Sequence, residues 1–342
     1  MVPQTQKNKM FSMQLNKPAP IEDSPLGLYE SALPVPGPGQ ARVQVTCCGV
    51  CRTDLHLAEG DIQPAFTPIT PGHQVTGIID QLGGDGEGFR PGDRVGIPWL
   101  HESCGTCDYC KRGAENLCPE ARFTGLHTHG GYAGYLLAQT RFLLKLPELI
   151  ADEQAAPLLC AGIIGYRSLH QAEVRPGSRL GLFGFGASAH LALQTARHWG
   201  CEVYVFTRSA AHQRHAQDLG AAWVGTADSA IPGALDHAVI FAPAGDLVPK
   251  ALEKLRPGGV LAVNAVHMSP IPEMPYRLIY GERTLRSVAN ATYADGVEFL
   301  QLAAEIPIRA DIQVYPLAEA NQALLDLKHS RINGEAVLRI SP

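Results

Sequence analysis

The sequence has no run of about 18 uncharged apolar residues, so it offers no candidate membrane-spanning helix. It also lacks any block of like charge. Its 28 Lys and Arg stand against 33 Asp and Glu, a net charge of −5, which is not the basic footprint of a nucleic-acid binder. The opening MVPQTQKNKMFSMQL has two lysines but no continuous apolar segment. It is therefore not read as a secretory signal, and a soluble cytoplasmic protein is expected. The first ten or so residues read as a polar, loose extension. Internal repeats and low-complexity tracts are missing too. What is plentiful is apolar character: 342 residues at 45% hydrophobic composition suit about two domains with a sizeable core.

The texture of the chain changes near residue 160. Before it, short runs with period-2 alternation such as ARVQVT (41–46) are separated by turn signals: PGPG at 36–39, GGDGEG at 83–88 and RPGD at 90–93. This is a mostly-β unit. After it, strand and helix alternate. RLGLF (179–183), EVYVF (202–206), a short strand at 223–225, HAVIFA (237–242), GVLAV (259–263) and 284–289 read as strands. Helical stretches fall at 188–200, 210–219 and 247–255. Such alternation predicts a parallel, doubly wound sheet. From about residue 294 a helical pattern and a closing AVLRI strand are expected to return to the first unit.

Nine cysteines, an odd number with no export signal, argue against a disulfide framework. Cys104, Cys107, Cys110 and Cys118 form C-x2-C-x2-C-x7-C. Four thiolates at this spacing can enclose one tetrahedral Zn²⁺ and leave no position open, which predicts a structural metal. Unmetallated, four close thiols would be prone to oxidation. Iron–sulfur clusters use similar spacings, and local pattern alone leaves that alternative open.

A second potential ligand set is dispersed: Cys51 in CGVCRTDLH, His73 in PGHQVTG and Cys160 in AAPLLCAG. Cys2His is a known catalytic zinc set with its fourth position free. Taken singly, a Cys in PLLC reads as a small buried hydrophobe, and a His after Gly as structural. In order, however, GVCRTDLH, PGHQVTG, RPGDRV, the four-cysteine lobe ending in GAENLC, AAPLLCAG and a glycine-rich turn resemble the medium-chain, zinc-dependent alcohol dehydrogenase family along nearly the whole chain.

The resemblance implies an α/β protein with a GroES-like, mostly-β catalytic domain over 1–160 and its structural zinc lobe at about 100–120. A Rossmann cofactor domain over 161–292 and a C-terminal return over 293–342 complete it. It implies two zincs per chain, one on Cys51, His73 and Cys160 and one on the four-cysteine lobe. The chemistry is coherent, since zinc lowers the pKa of bound water from about 15.7 to about 7 and acidifies an alcohol in the same way. Thr53 would accept the alcohol proton, and His56 would pass it on through the cofactor ribose to solvent. The competing reading of Thr53 is a helix N-cap. Asp54 would fix the tautomer of His73, or serve only as a first-turn helix acid. Arg52 would touch the cofactor pyrophosphate, its alternative being a solvated charge. Trp99 would line the pocket and favour slender primary alcohols or aldehydes, a role weighed evenly against core packing. One departure stands out. The family carries Glu after the ligand His, whereas this chain has Gln74, so altered metal exchange or water acidity is expected.

LGLFGFGASAH (180–190) follows a strand and opens a helix, the context a dinucleotide turn requires. Gly184 allows the tight turn, Gly186 lets backbone approach a pyrophosphate, Ala187 follows it, and Ala189 replaces the third glycine. At the end of the second strand stand Thr207, Arg208 and Ser209, with no carboxylate for a ribose 2′-hydroxyl. Arg208 could pair a 2′-phosphate, which tilts the choice between NAD and NADP towards NADP, though a solvated or adenine-stacked arginine fits as well. Glu335 occupies a position where many relatives have a phosphate-supporting arginine.

The resulting expectation is a reversible alcohol dehydrogenase favouring primary alcohols, and a homo-oligomer, dimer or tetramer. A polyol, cinnamyl-type or formaldehyde-handling relative shares the scaffold. A non-catalytic relative would have lost a ligand or the relay, and a zinc-free reductase would lack both cysteine sets. Cys47, Cys48 and Cys201 are expected to be buried thiols without a role.

Overall fold

The computed structural model describes residues 9–332 and 334–341. Most of the N-terminal extension expected from the sequence lies outside them. Its last two residues, Lys9 and Met10, are already paired in the Lys9–Leu15 strand, because Lys9 and Met10 stand opposite Ala32 and Ser31.

The chain folds into two compact units. The first comprises residues 1–160, 292–304 and 310–342. Its seven-stranded sheet runs Ile312–Pro316, Glu335–Arg339, Gln40–Val50, Val75–Leu82, Arg94–Ile97 and Leu144–Lys145, with Tyr135–Gln139 also paired to Gln40–Val50. The long central strand shows why the alternating sequence folds this way. Ala41, Val43 and Val45 point into the core while Gln44 between them is exposed.

The second unit comprises residues 161–291 and 305–309. Its six strands are all parallel, in the order Trp223–Gly225, Glu202–Phe206, Arg179–Phe183, Leu235–Ile240, Leu255–Val263 and Thr284–Ser287. Numbered along the chain this is 3-2-1-4-5-6, the dinucleotide-binding order. Leu180, Leu182, Phe183, Val203, Val205, Ala238, Val239 and Ile240 are all buried, as strands covered on both faces must be.

The glycine turn leaves the carboxyl end of the first of these strands and enters the Ala187–His198 helix. Gly184 has φ +90°, and a Cβ there would lie 2.8 Å from the Ala242 backbone nitrogen. Glycine is therefore required by both torsion and space. Gly186 differs: its backbone is extended (φ −123°, ψ −157°) and nothing stands within 4 Å of where a Cβ would project. Gly184→Ala should cost roughly 1–3 kcal/mol, whereas Gly186→Ala should change stability by under about 0.5 kcal/mol. Thermal and urea unfolding of the two variants checks this, and equal losses would contradict it.

Candidate active site

The site is built on one buried carboxylate. Asp54 is third in the Arg52–Glu59 helix, whose N-cap is Cys51, and is 2% exposed. Its Oδ2 accepts the Cys51 backbone N–H at 2.9 Å and the Tyr132 hydroxyl at 3.3 Å. Its Oδ1 accepts the Gly72 N–H and His73 Nδ1, each at 3.1 Å. A buried carboxylate is costly unless its lone pairs are met, and four donors meet them here. Asp54 therefore caps the helix and holds the His73 ring at the same time. Thr53 is not the N-cap, since the helix already begins at Arg52.

The loop carrying His73 is pinned from the far side. Gly130, Tyr132 and Gly131 donate to the carbonyls of Thr70, Pro71 and Gly72. Gly72 has φ +99°, and a Cβ there would come within 2.4 Å of the Tyr132 ring and 2.8 Å of Cys48 Sγ. The close approach of Tyr132 to Asp54 thus depends on glycine at this position.

Cys51, His73 and Cys160 each place one ligand atom within 4.8 Å of the other two. Cys160 rides on a π-helical turn, Leu158–Gly162, directly after the Asp152–Pro157 helix. Pro157 has no N–H to continue the helical ladder, and the widened turn follows it. The donor set fits zinc. His73 is 1% exposed, and its Nε2, the atom not held by Asp54, is buried with no partner among the described residues. Burial alone would lower its pKa, but the charge and hydrogen bond of Asp54, then Cys51, carry it up to about 10. The surroundings thus favour a positive charge at Nε2. Cys51 and Cys160 form a tight thiol pair. Hydrogen bonding from Cys160 pulls the Cys51 thiol well below its ordinary range, while the same bond holds the Cys160 proton.

Around this set, Cys51 Sγ lies 3.8 Å from Thr53 Oγ1. His56 Nδ1 pairs with Asp61 Oδ2 at 2.8 Å, with the histidine 31% exposed. Gly60, at φ +89°, ends the helix and turns Asp61 back beneath His56. Trp99 meets the His73 ring edge-on at 4.7 Å between centroids and stacks on Phe123 at 4.9 Å, so packing and proximity to the ligand set coexist. Arg52 is exposed, its Nη2 donating to the Leu327 carbonyl at 3.5 Å. Gln74 is fully buried and its amide lies across Gly49, where a Cβ would come within 2.9 Å of it. Glu335 is 3% exposed. Burial, then the nearby Cys51 charge, pushes its carboxyl well above the usual range, with the Gln74 amide opposing. Sequence reading missed Asp61, Tyr132 and the burial of Glu335.

In the other cluster, the four sulfurs of Cys104, Cys107, Cys110 and Cys118 also lie within 4.8 Å of one another. Close pairs measure 3.9 Å (Cys104–Cys110), 3.6 Å (Cys107–Cys110) and 3.5 Å (Cys118–Cys104). Tetrahedral 2.3 Å bonds to one zinc separate sulfurs by about 3.8 Å. The backbone N–H groups of Thr106 and Cys107 lower the Cys104 thiol to about 6, whereas burial raises Cys118 to about 11. Cys47, Cys48 and Cys201 are buried, and burial pushes the Cys47 thiol up to about 12.

In the second unit, Thr207 N–H donates to Gly225 and its carbonyl accepts from Gln213. Ser209 caps the Ala210–Asp218 helix through the His212 N–H at 3.3 Å, and Arg208 is exposed.

The chain is similar to known proteins over nearly its whole length. The family model of the alcohol dehydrogenase GroES-like domain matches residues 37–148, and that of the zinc-binding dehydrogenase matches residues 189–305. A Mycobacterium tuberculosis protein described as a probable alcohol dehydrogenase is 45% identical over 337 residues, covering 97% of each chain. An alcohol dehydrogenase of Geobacillus stearothermophilus is 33% identical over 327 residues, 92% of this chain and 96% of that protein. Among solved structures, a cinnamyl alcohol dehydrogenase from Sorghum bicolor superposes with a TM-score of 0.87 at 28% identity, covering 97% of both chains. The chain belongs to the zinc-binding alcohol dehydrogenase family of the medium-chain dehydrogenases.

Proposed function

We propose that the chain oxidises primary alcohols reversibly to aldehydes, with NADP as the favoured hydride acceptor and two zincs per chain. The observation that carries this reading is the convergence of Cys51, His73 and Cys160 around a His73 Nε2 that is buried and without a partner among the described residues. These residues would hold the catalytic zinc and the four-cysteine lobe a structural one. When bound, the catalytic ion supplies the positive charge that makes an alcohol hydroxyl acidic.

The chain's own residues do the rest. Asp54 holds Nδ1 of His73, so that Nε2 faces the metal. Thr53, beside Cys51, accepts the substrate hydroxyl proton at Oγ1, and half-buried His56 hands it towards solvent. Asp61 orients that imidazole through Nδ1. Trp99, edge-on to His73, narrows the space for substrate and favours slender alcohols. Gly184 and Gly186, with the N-terminus of the helix that begins at Ala187, cradle the pyrophosphate. The open space where a Gly186 Cβ would project supports this. Exposed Arg208, beside Thr207 and with no carboxylate among residues 207–209, supports a 2′-phosphate.

Cinnamyl-type alcohols are the second reading, favoured by a rice protein described as a probable cinnamyl alcohol dehydrogenase that is 30% identical over 318 residues. Val266, Ile271, Tyr276 and Tyr280 are 47–79% exposed in one stretch of the second unit, which supports a homo-oligomer. Among the described residues no helix is long and apolar enough to cross a membrane, and a cytoplasmic site fits.

A panel of aliphatic, polyol and cinnamyl alcohols with NAD and NADP, run beside metal analysis, tests the whole reading. Alcohol-dependent reduction of NADP with two zincs per chain is expected, and no turnover on any alcohol would overturn it. Arg208→Ala should raise KM for NADP by about tenfold or more while leaving NAD nearly unchanged. A strong NAD preference in the wild type would refute the cofactor assignment. His56→Ala should lower kcat/KM by on the order of 10- to 100-fold, with partial recovery in imidazole buffer, and Asp61→Ala should do the same more weakly. Unaltered kinetics in both variants would remove the relay.

A further inference from the structure

Directly after His73 the chain carries a neutral amide, Gln74. The structure brings an acidic side chain to the same place from a distant part of the chain. The Glu335–Arg339 strand runs antiparallel to Gln40–Val50, with Ala336 opposite Val50 and Val337 opposite Gly49. One residue beyond the Ala336–Val50 pair the two chains reach Glu335 and Cys51, and the Glu335 carboxyl feels the Cys51 charge. Glu335 is 3% exposed, and its backbone is tied by an N–H bond to the Asp311 carbonyl at 2.8 Å. Gln74 lies across Gly49 on the neighbouring strand, and its amide is the favourable neighbour of the Glu335 carboxyl.

The polar atoms left over here are unusual in number. His73 Nε2, both amide atoms of Gln74 and Glu335 Oε2 are all buried with no hydrogen-bond partner among the described residues. Buried polar groups are normally satisfied, and a buried carboxyl with one oxygen left unsatisfied is costly to keep. A neutral, well-packed side chain would be cheaper at 335 if nothing there needed an anion. A divalent cation held by Cys51, His73 and Cys160 satisfies His73 Nε2 directly and gives the carboxyl a charge to face. Carboxylate oxygen is itself a zinc donor.

We propose that Glu335 supplies, from the C-terminal strand, the buried carboxylate that strengthens zinc binding at Cys51, His73 and Cys160, beside the neutral Gln74. Glu335 is thus a positioning residue for the metal, and Gln74 is its amide partner. The proposal rests on the zinc reading of the Cys51 set.

Chelator competition on the purified full-length protein tests it, with zinc counted per chain and Co²⁺ substitution giving a spectrum of the Cys51 site. E335Q keeps the shape of the side chain and removes its charge. It should weaken zinc at that site by about 10- to 100-fold, shift the Co²⁺ spectrum, and leave the four-cysteine zinc in place. Q74E/E335Q returns a carboxylate to the adjoining position and should regain most of the lost affinity. Wild-type affinity in E335Q, or a double variant no better than E335Q, would overturn the proposal. A wild-type protein with a single zinc, all of it on the four-cysteine lobe, would instead overturn the zinc reading beneath it.

Discussion

The Asp54 carboxylate is the constraint on which the site depends. It sits at the third position of a helix, where its reach to the Cys51 N–H is local and inexpensive. The same two oxygens gather the Gly72 N–H, His73 Nδ1 and the Tyr132 hydroxyl. One side chain therefore fixes the helix start that carries Cys51, Thr53 and His56. It also fixes the loop that carries His73 and the imidazole tautomer. Hydrogen bonds to a charged group contribute about 1.5–3 kcal/mol each, and stranding a buried partner costs more. Loss of this carboxylate would be felt in both the fold and the metal chemistry.

The two candidate metal sets achieve closure differently. The four-cysteine lobe gathers its sulfurs within fifteen consecutive residues, through short turns and backbone N–H groups aimed at Cys104. The other set depends on three separate pieces of the first unit. Cys51 caps the helix that follows a strand, His73 follows a glycine whose torsion and surroundings disfavour a side chain, and Cys160 sits on a widened helical turn after Pro157. A site assembled in this way can keep one coordination position for substrate, which a closed four-thiolate cage cannot.

These differences explain what could be read in advance. The four-cysteine lobe is local, so spacing sufficed. The strand and helix alternation of the second unit was equally plain, because fully buried parallel strands are short apolar runs such as RLGLF and EVYVF. The Leu255–Val263 strand begins earlier than the apolar run GVLAV, because Leu255 pairs with Leu235 before a register break. Thr53 and Asp54 each carried two readings that periodicity could not separate; the N-cap falls at Cys51, which removes the capping reading of Thr53, and Asp54 serves the helix and His73 together. Asp61 has a local signal, five residues after His56 with a glycine between. Tyr132 has none, and Glu335 stands out in the sequence only in relation to cofactor phosphates, not to the Cys51 set. They reach the site through loop packing and strand register.

The central claim is that Cys51, His73 and Cys160 hold a zinc distinct from that of the four-cysteine lobe. Anomalous diffraction from crystals of the purified protein, collected on both sides of the zinc absorption edge, tests it most directly. Two peaks per chain are predicted, one enclosed by Cys104, Cys107, Cys110 and Cys118 and one bounded by Cys51 Sγ, His73 Nε2 and Cys160 Sγ. A single peak at the four-cysteine lobe, with the second set free of metal in zinc-replete protein, would contradict it.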